Sequence, residues 1–200
     1  KMAGGKGMQV TRMLRILGES TQTHVLVGGA TGKIWLELAQ KEGIEVIPAY
    51  TRDETRINVH IADEEHRHLK INMPGANAQT EIVSQIMSNL GATSKPHSSI
   101  VLAGSLPPGT RDDTYADLIK HGNELGARVY LDAHGEALRR SLREIPYALK
   151  INRTELAEFA GRDLASFDDV RRVLDEPPFP EIAVVSVTSS ESGALLRDAT

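Results

Sequence analysis

Two hundred residues, 40% of them hydrophobic, suit one α/β domain or a large part of one and can bury a real core. A formal net charge of −4, with no arginine-rich run and no interleaved aromatics, excludes a general electrostatic platform for nucleic acid, and no apolar stretch approaches the roughly 20 residues of a membrane span. The lack of cysteine excludes disulfides, thiolate nucleophiles and zinc–cysteine sites and fits a reducing, cytoplasmic setting.

In chain order, Gly4-Gly5-Lys6-Gly7 precedes a helix marked by Met8, Val10, Met13, Leu14 and Leu17, with Gly18 where a C-terminal cap belongs. His24 to Val27 reads as a buried strand, Ile34 to Leu38 as helix, and Glu45-Val46-Ile47 as strand. Thr55 to Ile61 and His66 to Ile71 alternate around Asp63-Glu64-Glu65, which predicts a β-hairpin with a solvated face. A helix through Ile82, Ile86 and Leu90 leads to strand Ile100-Val101-Leu102, which runs into Gly104. Then come helix Tyr115 to Leu125, strand Val129 to Leu131, helix Glu136 to Leu142, strand Ala148 to Lys150, helices Thr154 to Phe159 and Asp168 to Leu174, a loop from Glu176 to Pro180, and strand Ile182 to Val187. Strands alternating with helices predict an α/β fold: a mainly parallel sheet flanked by helices, residues 1–200 forming one domain or a large part of one, with a β lid inserted at 50–74. Such sheets bind ligands at the carboxyl ends of their strands, where Gly28, Gly104, Asp132 and Asn152 fall.

Gly28-Gly29-Ala30-Thr31-Gly32-Lys33 invites a phosphate-loop reading and fails it. Val27 stands where the first glycine is needed, and Ile34 rather than Ser or Thr follows the lysine, so an ordinary strand-to-helix turn is expected. Gly4 to Gly7 could bring backbone N–H groups close to an anion, with Lys6 adding charge, or could be a flexible chain end. In Ser105-Leu106-Pro107-Pro108-Gly109 the prolines stiffen the turn and pre-order the Ser105 hydroxyl. Arg56 and Asn58, two apart on the predicted strand, would share a face, with Lys70 on the partner strand; Arg suits phosphate and Asn suits sugar hydroxyls, although charged lid residues are often only solvated. Asn152 and Glu155 form either a helix N-terminus with an acid in its first turn or an amide–carboxylate pair that organises water around Mg²⁺. His60, His66 and His68 read as solvated rather than as a metal site.

Taken together, these segments resemble the ribokinase-like (PfkB) carbohydrate kinases, and within them the 1-phosphofructokinase and tagatose-6-phosphate kinase subgroup. Gly4-Gly5-Lys6-Gly7-Met8-Gln9-Val10, Thr55-Arg56-Ile57-Asn58-Val59, Met73-Pro74-Gly75, Gly104 to Gly109, Asp132 to Leu138 and Asn152 to Leu156 follow the family's order. The resemblance implies ATP- and Mg²⁺-dependent phosphorylation of a sugar-phosphate hydroxyl by a cytoplasmic enzyme, dimeric through its lid. Gly4, Gly5, Lys6, Gln9, Arg56, Asn58, Lys70 and Ser105 would bind the substrate; Asn152, Thr188, Ser190 and Gly193 would line the nucleotide site; Asn152 and Glu155 would hold Mg²⁺ through water.

Gln9 stands where the family usually has Asn, and Ser190 where it usually has Gly. The family's catalytic base lies in a Gly-Ala-Gly-Asp motif that does not occur in these 200 residues, so the catalytic residue is unassigned. The expectation is a chain truncated at both ends and inactive alone. Two other readings stay open: a ribokinase-like kinase for an unphosphorylated sugar or nucleoside, and a non-catalytic sugar-phosphate-binding module.

Overall fold

The computed structural model describes residues 2–62, 68–78, 80–95 and 97–198. Its chain divides into two compact units: Lys1–Ile86 with Pro107–Thr110, and Met87–Leu106 with Arg111–Thr200.

In the first unit, α1 (Lys6–Ile16) and α2 (Gly29–Lys41) pack on the parallel pair β1 (Thr23–Gly28) and β2 (Val46–Thr51). The apolar stripes of the two helices meet there: Met8, Val27, Trp35, Ala39 and Ile44 form one buried cluster with Ala3. Beyond β2, the lid is the antiparallel hairpin β3 (Val59–Ala62) and β4 (His68–Ile71). Its first strand starts later than the alternating pattern suggests. Residues 54–58 belong to no helix or strand, so Arg56 and Asn58 precede β3 rather than sharing a strand face. The reason lies in Glu54 and Thr55, whose side chains bond to β1 and α2 rather than continuing a ladder. The expected turn Asp63-Glu64-Glu65, and His66 at the expected start of the second strand, lie outside the described residues.

Helix α3 (Thr80–Thr93) leads into the second unit, a sheet of β5 (Ser99–Ala103), β6 (Arg128–Asp132), β7 (Ala148–Asn152), β8 (Val184–Thr188) and β9 (Ala194–Asp198) in that spatial order. The first four strands are parallel and β9 is antiparallel to β8. The connecting helices are α4 (Thr114–Glu124), α5 (Gly135–Ser141), α6 (Arg153–Ala160) and α7 (Phe167–Leu174). Strand alternation buries Ile100, Leu102, Val129, Leu131, Leu149, Ile151, Val185 and Val187, with α4 against β6 and α6 against β7 and β8. Full burial of each such side chain contributes about 1.5–3 kcal/mol. Phe179, in the loop after α7, is also fully buried and stacks edge-on against Phe159 at 5.3 Å.

Two boundaries differ from the sequence pattern. Ile182 is buried but sits before β8, which begins at Val184. Strand β9 had no counterpart in the pattern: Ala194-Leu195-Leu196-Arg197-Asp198 is short and ends in two charged residues, and its ladder to β8 rather than its own propensity makes it a strand.

Candidate functional site

The glycine motif at the start of the chain is pinned, not loose. Ala3 is fully buried, its carbonyl accepts from Arg12 Nη2 at 2.6 Å, and the Gly4 carbonyl accepts the Trp35 indole N–H at 3.0 Å. Gly5 is the N-cap of α1 with φ 117°, a conformation only glycine adopts without strain, and Gln9 N–H returns to its carbonyl at 3.1 Å. No side chain caps this helix, and its first turn carries no acid. Side-chain carbons placed on Gly4, Gly5 or Gly7 would meet nothing within 4 Å. Lys6 and Gln9 are exposed beside this open, electropositive helix end.

The N-terminus of α2 is the opposite case. Glu54 sits on it as an internal anion: its carboxylate accepts from Ala30 N–H at 3.0 Å, Thr31 N–H at 2.9 Å and the Thr31 hydroxyl at 2.6 Å. These bonds, first of all the Thr31 hydroxyl, hold the carboxyl below its ordinary range. The strand-to-helix turn expected at residues 28–33 is tight: the strand ends at Gly28 and the helix starts at Gly29.

Arg56 and Lys70 are exposed, and neither has an ion-pair or hydrogen-bond partner among the described residues. Lys70 stands directly opposite His60 in the hairpin, not opposite Arg56. Asn58 is exposed in the segment between Arg56 and β3, and His60 and His68 are exposed lid residues. Among the described residues no three His, Asp or Glu side chains gather as a metal cluster.

The Gly104-to-Gly109 motif divides between the units. Pro107 to Thr110 belongs to the first, where the Pro108 carbonyl accepts from Ala78 N–H at 2.8 Å and Thr110 closes the turn on the Pro107 carbonyl at 2.7 Å. Two anchors of that region were not visible in the sequence: Asp53 Oδ2 accepts from Asn77 N–H at 2.9 Å, and the Thr51 hydroxyl donates to the Asn77 carbonyl at 2.8 Å.

Ser105 belongs to the second unit, whose carboxyl edge gathers the remaining candidates. Gly104 (φ 105°) donates its N–H to the Asp132 carbonyl at 3.1 Å, and its own carbonyl accepts the Tyr115 hydroxyl at 2.9 Å. Burial, and secondarily the charge of Asp132, pushes the Tyr115 phenol up to about 12. Lys150 Nζ lies 3.7 Å from Asp132 Oδ2 on the neighbouring strand. Asn152 and Thr188 are register partners at the ends of β7 and β8, and Ser190 and Gly193 form the turn into β9. Ser190 has φ 41°, in the left-handed region.

Asn152 and Glu155 form a complete capping box: Asn152 Oδ1 accepts from Glu155 N–H at 2.9 Å, and Glu155 Oε2 accepts from Asn152 N–H at 3.0 Å. The helix-start reading of this pair is therefore realised. The second Glu155 oxygen and the Asn152 amide nitrogen are not used by the box.

An open sheet with helices, an inserted β lid, a glycine-opened helix and a row of polar strand ends define the ribokinase-like α/β class. The pattern described as pfkB family carbohydrate kinase matches residues 1–200, and the chain belongs to that family. It is 31% identical over 170 residues to D-tagatose-1-phosphate kinase of Klebsiella oxytoca, covering 85% of this chain and 55% of that protein. It is 32% identical over 178 residues to ATP-dependent 6-phosphofructokinase isozyme 2 of Escherichia coli strain K12, covering 86% and 56%. The solved structure of Escherichia coli phosphofructokinase-2 in complex with fructose-6-phosphate superimposes with a TM-score of 0.91 at 30% identity, over 98% of this chain and 65% of that one. The chain thus spans little more than half the length of these two curated relatives.

Proposed function

We propose that this chain carries the sugar-phosphate and nucleotide sites of a kinase that transfers the terminal phosphoryl group of ATP to a hydroxyl of a phosphorylated ketohexose. The observation that carries the reading is the pair of exposed cations, Arg56 and Lys70, which have no partner among the described residues of a chain whose net charge is −4. An unphosphorylated sugar needs no such pair, whereas a phosphate dianion does. The names of the relatives, a tagatose-phosphate kinase and a phosphofructokinase, support the same substrate class.

Gly4, Gly5 and Lys6 at the open end of α1, with Gln9 one turn on and Asn58, would take the sugar hydroxyls; Arg56, Lys70 and Ser105 would take the existing phosphate or nearby hydroxyls. Asn152, Thr188, Ser190 and Gly193 would line the ATP site. The donor set suits Mg²⁺: Asn152 and Glu155 offer oxygen and amide groups that are only partly used by their capping box, enough to order water around an ion that the ATP phosphates also ligate. Bound there, Mg²⁺ neutralises charge on the transferring phosphoryl group. This chain's own contribution is then positioning and charge complementarity. A cytoplasmic homodimer, joined through the apolar faces of two lids, completes the reading.

Binding rather than turnover is the test, because the family resemblance assigns the base to a motif these 200 residues do not contain. Calorimetric titration with fructose 6-phosphate, fructose 1-phosphate and fructose should give saturable binding of a phosphorylated sugar at least tenfold tighter than fructose. Equal affinities, or no binding of either phosphate ester, would reject the reading.

A further inference from the structure

The segment Gly28 to Lys33 resembles a phosphate loop, yet neither the substrate nor the nucleotide reading uses it. Its geometry gives it another role. Glu54 fills the end of α2 through three hydrogen bonds, to Ala30 N–H, Thr31 N–H and the Thr31 hydroxyl. The next residue is fixed as firmly. Thr55 exchanges backbone and side-chain bonds with Gly28: Thr55 N–H to the Gly28 carbonyl at 3.0 Å, Gly28 N–H to Thr55 Oγ1 at 2.9 Å, and Thr55 Oγ1 to the Gly28 carbonyl at 3.3 Å. The Thr31 hydroxyl oxygen also lies 2.7 Å from the Thr55 carbonyl, so its one proton is shared between that carbonyl and the Glu54 carboxylate. Arg56, immediately after, has no bond of its own among the described residues.

The glycines serve this seat. A side chain on Gly29, at φ 65°, would collide with the Glu54 carboxylate, and one on Gly28 would collide with the carbonyl oxygens of Asp53 and Thr51. The loop that looks built for a ligand's phosphate is therefore built for the chain's own carboxylate, two residues before the exposed Arg56 guanidinium. A long side chain binds an anion well only if its backbone origin does not move, because each freely moving degree must otherwise be ordered on binding.

We propose that Glu54 is a positioning residue for substrate binding: its carboxylate, locked on the N-terminus of α2, fixes the backbone from which Arg56 reaches the substrate's phosphate. The inference rests on the reading that Arg56 grips that phosphate. Glu54 itself touches no substrate. It is exposed and lies outside the buried cluster of the first unit, so removing it leaves that core in place.

A double-mutant cycle on the 200-residue chain tests this, with fructose 6-phosphate and fructose 1-phosphate as probes and Mg·ATP as the control ligand. Glu54→Ala should weaken the preferred sugar phosphate roughly tenfold and leave Mg·ATP within twofold. In an Arg56→Ala background the same change should have less than a twofold effect, because there is no guanidinium left to position. An undiminished Glu54 effect in that background, or no effect while Arg56→Ala alone weakens binding, overturns the positioning role and leaves the substrate reading intact. No effect of Arg56→Ala overturns the reading of Arg56 and the positioning role with it. If Glu54→Ala does not fold, Thr31→Val, which removes one of the three bonds to the carboxylate, goes through the same cycle, with a loss of about threefold expected only when Arg56 is present.

Discussion

The hydroxyl of Tyr115 donates to the carbonyl oxygen of Gly104 at 2.9 Å, so a helix residue ten positions beyond Ser105 holds the turn that carries it. The Gly104 N–H is bonded to the Asp132 carbonyl, so this residue is fixed from both sides. Tyr115→Phe would remove the donor and leave a carbonyl unpaired at a cost of about 1–2 kcal/mol at neutral pH. Thermal melts of the two proteins at pH 7 measure that difference.

The same tyrosine sets a pH window. Its phenol is pushed up to about 12 in the folded chain by burial, while an unfolded tyrosine titrates near 10. The folded value is the higher one, so this contribution is complete below about pH 10 and is lost as pH rises toward about 12, by roughly 3 kcal/mol in all. Between pH 9 and pH 11.5 wild type should lose more stability than Tyr115→Phe. Parallel loss in both proteins would refute the assignment.

Ser190 is held at φ 41°. Left-handed backbone costs a non-glycine residue about 1–2 kcal/mol, and glycine returns about 0.4–1 kcal/mol of that through its greater freedom in the unfolded chain. Ser190→Gly should therefore stabilise the chain by up to about 1 kcal/mol, read from denaturant midpoints at constant slope.

For Glu155 two substitutions separate its two roles. Glutamine can replace glutamate in a capping box, so Glu155→Gln should keep thermal stability within a few tenths of a kcal/mol. Removing the negative charge should nevertheless weaken Mg·ATP several-fold if the carboxylate orders water around the ion. Unchanged Mg·ATP affinity in Glu155→Gln, measured by calorimetry, would leave the residue with the helix cap alone.

Lys70 should behave as a phosphate contact. Lys70→Ala removes one charge-assisted bond, about 1.5–3 kcal/mol or roughly 10- to 150-fold in affinity for the phosphorylated sugar, and should leave fructose unaffected. Because Lys70 faces His60 across the hairpin rather than Arg56, the two cations come from separate segments of the chain. Sub-additive losses in the double mutant would show that they share one phosphate; strict additivity would show that they do not.

The hairpin also carries the assembly prediction. Val59 faces Ile71 and Ile61 faces Leu69, all four exposed, while His60, Lys70 and His68 fall on the alternate positions. Two strands alone are marginal and need something to pack against. Light scattering should give a dimer for the wild-type chain and a monomer for Leu69→Lys. A wild-type monomer at high micromolar concentration would count against the lid contact.

Hydrophobic period and glycine placement made the order of helices and strands legible, because α4, α7 and β5 to β8 carry strong patterns of their own. The candidate residues on the second sheet were legible for the same reason: Asp132, Asn152 and Thr188 follow short, mainly apolar runs bounded by turn signals, the pattern of buried strands. What stayed hidden depended on partners far along the chain. Glu54 reads as a surface acid until β1 and α2 are in place beneath it, and Tyr115 reads as an ordinary helix residue until Gly104 lies within reach. Arg56 and Asn58 were placed on a strand because alternation is a local signal, whereas the bonds of Thr55 to Gly28 that withdraw this segment from the hairpin are not. Strand β9 was missed because its charged, two-leucine pattern is weak without β8 beside it.

In the second sheet, spatial order and chain order coincide from β5 to β9. Every strand after the first therefore finds its partner in the segment made just before it, and no strand waits for one still to be synthesised. Such a sheet can grow outward from β5 one strand at a time during translation, each connecting helix covering the new strand as it docks, while loop-closure costs stay small because each pairing spans only one connection. Once Asn152 has cleared the ribosome, the nascent chain holds β5, β6 and β7 available to pair, and the edge left open is the one β8 will close.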